Sequence, residues 1–318
     1  MKNAKRVRSC LRAAATAFAV LVAPLATASE GSRWGQGYLP NAEVVDQDNR
    51  HLEFYDDVIK GKIVVISFVY TSCKSICPLV IARLREVQDM LGDAMGRDIF
   101  FVSVSIDPIP DTPEKLKEHA TAFRVGPGWS FITGRPDDID LIRFKLGERS
   151  GKEIAQHRNE VMLYNDVTGE WARDSAFADL GALAMTIRDM DPKWRNRAAV
   201  EVSSAASDSS HGTGDHQGQA LFIKACAACH SIGQGDKVGP DLEGVTARRD
   251  HDWLVRYITD PERTRAGKDT VALELAQKYP AVRMPNLGMG EDDVSDLISY
   301  LDARTLALAS KQDAAPRP

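Results

Sequence analysis

The chain has 318 residues, of which 43% are hydrophobic and 27% charged, and its net charge is −5. This length accommodates two domains, and the balance of apolar and charged residues is that of a soluble globular protein. The acidic balance and the lack of a basic stripe argue against nucleic acid as a partner.

The first 28 residues differ from the rest. Residues 1–12 are strongly basic, residues 13–28 are mostly apolar, and residues 26–28 read Ala-Thr-Ala, a small-x-small cleavage pattern. This order predicts a signal peptide over residues 1–28, and hence an exported protein in the periplasm of a Gram-negative bacterium. The apolar stretch is shorter than the ~20 residues of a membrane span. Left uncleaved, it would associate the protein weakly with the membrane.

Four cysteines remain once the predicted signal peptide, which contains Cys10, is removed. They form two tight pairs, with Cys73 and Cys77 separated by three residues and Cys226 and Cys229 by two. Disulfides persist in an oxidising compartment, but neither spacing resembles a staple between distant loops. We therefore predict two local chemical sites.

Residues 29–197 show strand patterns alternating with helix patterns, which predicts an α/β domain with a largely parallel sheet covered on both faces. A hairpin near its end adds an antiparallel edge. The predicted strands are 62–70, 99–106, 129–134, 161–166 and 170–174, and the predicted helices are 78–92, 111–123, 135–146 and 175–190.

A change of composition follows. Residues 198–217 are rich in Ser, Ala, Gly and Asp, which predicts a flexible linker. Residues 218–306 then show helix patterns at 218–230, 251–260 and 291–305 and no strand pattern, which predicts a small all-α domain. We expect a disordered tail over residues 307–318.

The second cysteine pair is followed directly by a histidine, in the order Cys226-Ala-Ala-Cys229-His230. This C-x-x-C-H spacing is typical of covalent haem attachment, in which two thiols add to the porphyrin vinyl groups and the histidine ligates the iron. A methionine as the sixth ligand suits electron transfer. Met284 and Met289 are the two candidates ahead of the last helix.

Three stretches of this domain resemble the class I c-type cytochrome domains of bacterial respiratory chains, over about residues 215–305. They are residues 218–230, 238–245 and 284–301. The resemblance implies one covalent haem c, held by Cys226 and Cys229, with His230 and Met284 as the axial ligands of the iron. It also implies that Pro240 supports His230.

The first cysteine pair, Cys73 and Cys77, follows a strand pattern and precedes a helix pattern. A helix N-terminus lowers the pKa of a thiol, and residues four apart on a helical turn share a face. Two thiolates could bind Cu(I), cycle through a disulfide, or form a static disulfide. Candidates for a third ligand are His51, His157 and His119, and we expect His119 to be a surface residue.

The stretch from Thr71 to Pro78, residues 104–113 and His157 resemble the Sco/SenC family of thioredoxin-fold copper proteins, over about residues 35–192. The resemblance implies a single copper ion held by Cys73, Cys77 and His157. Lys74 replaces a proline that many family members have at that position. The family delivers copper to the dicopper site of cytochrome c oxidase subunit II or reduces its cysteines. Subunit II and other periplasmic redox or copper carriers are therefore the expected partners.

These features together predict an α/β thioredoxin-like domain followed by a small all-α cytochrome c domain. The favoured function is that of a copper metallochaperone with a tethered haem that exchanges electrons with the cysteine and copper centre. A thiol–disulfide reductase and a redox-sensing electron-transfer protein are the alternatives. A peroxide-reducing enzyme fits less well, because it would require one reactive cysteine and an arginine rather than a cysteine pair.

Overall fold

The order of the elements follows the alternation predicted for the first domain. The computed structural model describes residues 35–73, 76–148, 160–201, 216–280 and 282–313. The predicted signal peptide, His157 and most of the predicted linker lie outside these residues. All described residues belong to one unit, Gly31–Pro318. Within them, the helices are too short or too polar to cross a bilayer.

The first segment is an α/β domain. Its strands are β1 (Glu43–Asp46), β2 (His51–Glu53), β3 (Ile63–Val69), β4 (Ile99–Ser105), β5 (Trp129–Gly134), β6 (Glu160–Asn165) and β7 (Glu170–Ser175). Its helices are α1 (Cys77–Leu91), α2 (Pro113–Ala122), α3 (Pro136–Lys145), α4 (Leu180–Asp189) and α5 (Pro192–Glu201). A wide helical turn spans Phe54–Ile59 and a short 3₁₀ turn Gly92–Ala94.

The strands form one sheet in the order β2-β1-β5-β4-β3-β6-β7. Only the β3–β4 and β4–β5 pairings within this sheet are parallel, whereas β1–β2, β1–β5, β3–β6 and β6–β7 are antiparallel. The prediction of a largely parallel sheet was therefore wrong. The short β1–β2 hairpin, which lies in a stretch that reads as turn-rich, adds a second antiparallel edge.

Strand β3 lies near the centre of the sheet and positions the first cysteine pair. All seven of its residues are buried, because β4 and β6 flank it and helices cover both faces. Helix α1 follows it, with Pro78 in the first turn, where the missing N–H costs nothing. The units β3–α1–β4 and β6–β7–α4 make this a thioredoxin-like α/β fold.

The hydrophobic core of the first segment consists of two clusters, one on each face of the sheet. Helices α1, α2 and α4 contribute to one cluster through residues such as Leu84, Leu116 and Leu183. Helix α3 and the turn Phe54–Ile59 contribute to the other. Both faces are covered, as predicted.

The second segment is helical, as predicted. Its helices are α6 (His216–Leu221), α7 (Val245–Arg248), α8 (His251–Thr259), α9 (Pro261–Ala266), α10 (Thr270–Lys278) and α11 (Glu291–Asp313), and a wide turn at Phe222–Cys226 continues α6. Helices α6 and α11 cross closely at Gly218, where a Cβ atom would lie 2.2 Å from the Asp296 carbonyl oxygen. Their apolar residues share a core with α8.

Helix α11 continues well beyond the predicted end of the domain. Residues 307–313 are helical, so the prediction of a disordered tail was wrong for them. The stretch from Leu306 to Ala309 consists of strong helix formers, and Leu308 packs against the core of the helical segment. The predicted linker is similarly shortened, because α5 extends to Glu201 and α6 begins at His216.

Candidate metal and haem-attachment sites

Cys73 and Cys77 lie together at the carboxyl end of β3, as predicted. Both side chains are thiols and both are buried, with Cys73 7% and Cys77 0% exposed. The Cys77 backbone N–H donates to the Cys73 Sγ at 3.5 Å, so the sulfur takes the place of a capping oxygen at the start of α1. Burial and the neighbouring Cys73 raise the pKa of the Cys77 thiol, contrary to the lowering that the helix N-terminus predicted. Tyr70 is hydrogen-bonded to Cys73.

A fully buried carboxylate, Asp111, holds the loop that carries Cys73. It accepts hydrogen bonds from the Thr71 backbone N–H at 3.1 Å and from the Thr71 hydroxyl at 2.5 Å. The Ser105 hydroxyl donates to the same carboxylate at 2.6 Å. Asp107 lies in the turn between Ser105 and Asp111, where its backbone N–H donates to the Ser105 hydroxyl oxygen. Asp111 thus ties the end of β3 to the end of β4.

We expect Asp111→Ala to destabilise the protein by about 3 kcal/mol, because buried donors of Thr71 and Ser105 lose their acceptor. Urea unfolding measures the loss. The control is Asp98→Ala, since Asp98 lies on the surface in an ion pair with Arg97. Equal losses in the two variants would contradict the anchoring role.

The structure places two of the three candidate histidines. His51 lies on β2, exposed, with its Nδ1 2.6 Å from Glu43. His119 is 7% exposed, so its prediction as a surface residue was wrong. It packs against Phe123 with ring centroids 5.0 Å apart, because α2 turns this face toward the sheet. Burial lowers the pKa of His119, and its Nε2 has no hydrogen-bond partner among the residues that the structure describes.

The predicted third ligand, His157, lies outside the described residues. Within the described ranges, no cluster of three or more His, Cys, Asp or Glu side chains could hold a metal ion. The described part of the first site is therefore a pair of buried thiols next to the loop that Asp111 holds in place.

The second cysteine pair lines a cleft in the helical segment. The cleft has an empty volume of about 1340 Å³, part of it open to solvent. Burial raises the pKa of Cys226 and Cys229 to about 12. The lining includes both thiols, His230, Met284, aromatic residues and several arginines.

The imidazole ring of His230 is held through one of its two nitrogens, Nδ1. Its Nδ1 donates to the Pro240 carbonyl oxygen at 2.8 Å, which leaves Nε2 unprotonated for a metal. Burial lowers the pKa of His230 and so favours this neutral form. The backbone of Gly239 packs against the ring, where a Cβ atom would lie 2.6 Å from the ring carbon Cε1. The support of His230 by Pro240 is thus present.

Asp241 fixes the loop that supports His230. Its carboxylate accepts from the Ser231 hydroxyl at 2.7 Å and from three consecutive backbone N–H groups, those of Gly233, Gln234 and Gly235, at 2.6 to 2.9 Å. These hydrogen bonds keep the pKa of Asp241 below its usual range. The neighbouring Asp236 is hydrogen-bonded to Tyr279, which lowers its pKa from 3.8 to about 2.

We expect these carboxylates to make the helical segment acid-labile. A depressed pKa in the folded state adds stability above the unfolded pKa, and this stability is lost as the pH falls toward the folded value. For Asp236 this stability is lost as the pH falls from about 4 to about 2. Asp241→Asn should lower the melting temperature at neutral pH and flatten its decline in acid, as followed by circular dichroism. An unchanged acid slope would contradict the assignment.

The two candidate methionines occupy different places. Met284 lines the cleft together with His230, and its carbonyl oxygen accepts a hydrogen bond from Arg265. Met289 is 8% exposed and belongs to the hydrophobic core of the helical segment. Of the two, Met284 is the one on the cleft wall.

The fold and the two sites define a protein that joins a thioredoxin-like domain with a buried cysteine pair to a helical domain with a haem-attachment motif. Residues 41–167 match the family model for SCO1/SenC, and residues 216–305 match the model for Cytochrome c. The chain thus has a first segment similar to SCO1/SenC proteins and a second segment similar to cytochrome c, called below the SCO1/SenC segment and the cytochrome segment.

Curated relatives match the first segment. The chain is 31% identical to the SCO1 protein homolog of Bacillus subtilis over 125 residues, which are 37% of this chain and 63% of that protein. It is 35% identical to the SCO2-like protein RC0895 of Rickettsia conorii over 104 residues, which are 33% of this chain and 48% of that protein. The chain spans about half the length of the curated relatives it matches.

Solved structures resemble the same segment. An SCO1/SenC family lipoprotein from Bacillus anthracis matches with a TM-score of 0.42 and 23% identity, over 48% of this chain and 94% of that chain. Arabidopsis thaliana ScoI with copper bound matches with a TM-score of 0.41 and 19% identity, over 49% of this chain and 96% of that chain.

Proposed function

We propose that this chain is a periplasmic copper-binding protein of the Sco type that supplies the dicopper site of cytochrome c oxidase subunit II. In the same proposal, its haem domain exchanges electrons with the cysteine and copper centre. The SCO1/SenC match over residues 41–167 supports the first part. The basic, apolar and small-residue order of residues 1–28 supports export.

One observation carries the proposal: two buried thiols meet at the start of α1, Cys77 on its first turn and Cys73 in the preceding loop, with the Cys73 Sγ 3.5 Å from the Cys77 backbone nitrogen. Sulfur ligands in a buried site suit Cu(I), which is soft. Because burial raises the pKa of Cys77, its thiol is protonated at neutral pH, and Cu(I) must displace that proton as it binds. The same two thiols can form a disulfide by losing two electrons and two protons.

The residues of the cleft fit a covalent haem c. They provide two thiols, a histidine whose Nδ1 is already engaged by Pro240, and a methionine on the cleft wall. When bound, the haem supplies a one-electron redox centre beside the SCO1/SenC segment. Here Cys226 and Cys229 would attach it, His230 and Met284 would ligate its iron, and Asp241 keeps the supporting loop in place.

Titration of the full chain with Cu(I), in competition with a chelator of known affinity, tests the copper site. We expect one tightly bound ion per chain and a loss of affinity of about 10- to 100-fold or more in His157→Ala. His51→Ala is the matched control, because His51 is exposed and paired with Glu43. Unchanged affinity in His157→Ala would contradict the three-ligand site. Absence of stoichiometric binding would favour a thiol–disulfide reductase instead.

The delivery role is tested in cells. A strain that carries the Cys73→Ser chain should assemble cytochrome c oxidase with less copper than the wild-type strain, because the cargo site is lost. Equal copper content in the two strains would contradict delivery.

A further inference from the structure

Helix α1 carries Cys77 at its start and contacts the cytochrome segment along the same helix. Arg83 is 2% exposed, and its guanidinium donates to the Ala176 and Ala178 carbonyl oxygens at 2.7 and 2.6 Å. Its Nη1 donates to the Lys224 carbonyl oxygen at 2.5 Å, two residues ahead of Cys226. One buried arginine of α1 therefore binds backbone from both segments.

An ion pair lies nearly one turn further along α1. The Lys237 ammonium is 2.7 Å from the Glu86 carboxylate, and both side chains are about two-thirds buried. The same ammonium donates to the Ala227 carbonyl oxygen at 2.9 Å, inside the haem-attachment motif. A partly buried pair that also binds a backbone carbonyl is better ordered than a pair on the open surface.

Apolar contacts complete this surface. Ala228 belongs to the hydrophobic cluster on the α1 face of the sheet, and Cys229 packs against that cluster. Leu79 is 5% exposed, yet within the described residues it lines the cleft of the cytochrome segment rather than joining the cluster of its helix neighbours Val80 and Leu84. Leu79 lies two residues after Cys77.

We propose that α1 is a built-in docking surface for the turn Cys226–His230, and that Leu79 is a residue of the haem cleft. The cleft is then composite, with one wall supplied by the SCO1/SenC segment. In this docked arrangement, one helix connects the two cysteine sites. The role of Leu79 rests on the haem attachment proposed above, whereas the docking does not.

Charge reversal tests the docking. In the full chain, Glu86→Lys and Lys237→Glu each place like charges in contact, and the double exchange restores an attractive pair. We expect amide hydrogen exchange of residues 224–232 to become about tenfold faster in each single variant and to return toward the wild-type rate in the double variant. Lys60→Glu is the matched control, because the Asp56–Lys60 pair lies on the surface elsewhere. Wild-type exchange rates in both single variants would overturn the docking.

The role of Leu79 has its own test. Leu79→Ala should open the cleft wall to water and shift the haem reduction potential to a lower value, because solvent favours the more charged ferric state. Leu84→Ala is the control, since Leu84 is a buried leucine of the same helix that does not line the cleft. Equal potentials in the two variants would overturn the assignment of Leu79. The hydrogen-exchange result is independent of copper binding, so failure of the copper function leaves the docking test intact.

Discussion

Serine in place of Cys73 or Cys77 should abolish tight Cu(I) binding. A serine hydroxyl is a hard ligand of nearly the same size as a thiol, so the site keeps its shape and loses its affinity for a soft ion. We expect the Cu(I) affinity to fall by more than about 100-fold. Removing a residue that only hydrogen-bonds to a metal ligand costs about 10- to 100-fold, and removing the ligand itself should cost more. Chelator competition measures the loss, and the haem spectrum of the same variant reports whether the second domain is intact.

The matched control is Ser67→Ala. Ser67 is a buried residue of β3 whose hydroxyl is 2.9 Å from that of Ser103, so its loss perturbs the same strand without touching a thiol. Wild-type copper affinity in either cysteine variant would contradict the assignment of the pair. An equal loss of copper affinity in Ser67→Ala would show that the loss comes from perturbing β3 rather than from removing a thiol.

Replacing Met284 by leucine should lower the haem reduction potential by on the order of 0.1 V, a fraction of the ~0.8 V range that axial ligands span. The reason is that a thioether ligand raises the potential and leucine cannot replace it. Met289→Leu should leave the potential near the wild-type value, because Met289 lies in the core and not on the cleft wall. Spectroelectrochemical titration compares the two variants, and a larger shift in Met289→Leu would reverse the assignment.

Much of the fold could be predicted from the sequence, because its signals are local. The run of Ile, Val and Phe in β3 indicates a strand buried on both faces, and the structure buries all seven residues. The β6–β7 turn contains Gly169, whose φ of 71° favours glycine. The spacing of the two cysteine pairs also predicted that the thiols of each pair lie close together, since it is a property of neighbouring residues.

What the sequence did not predict depends on tertiary packing. The burial of His119 arises because α2 turns that face onto β5, which the charged sequence of the helix does not indicate. The three hydrogen bonds of Arg83 join residues that are 93 to 141 positions away in the chain. The β1–β2 hairpin is too short for a clear alternation pattern.

The measurement that tests the account most directly is haem absorbance after one equivalent of Cu(II) is added to the fully reduced chain. The account predicts that the haem becomes oxidised as the copper is reduced and held by Cys73 and Cys77. It also predicts that Cys73→Ser slows or prevents this change. An unchanged haem spectrum in the wild-type chain, or the same change in Cys73→Ser, would contradict the coupling of the two sites.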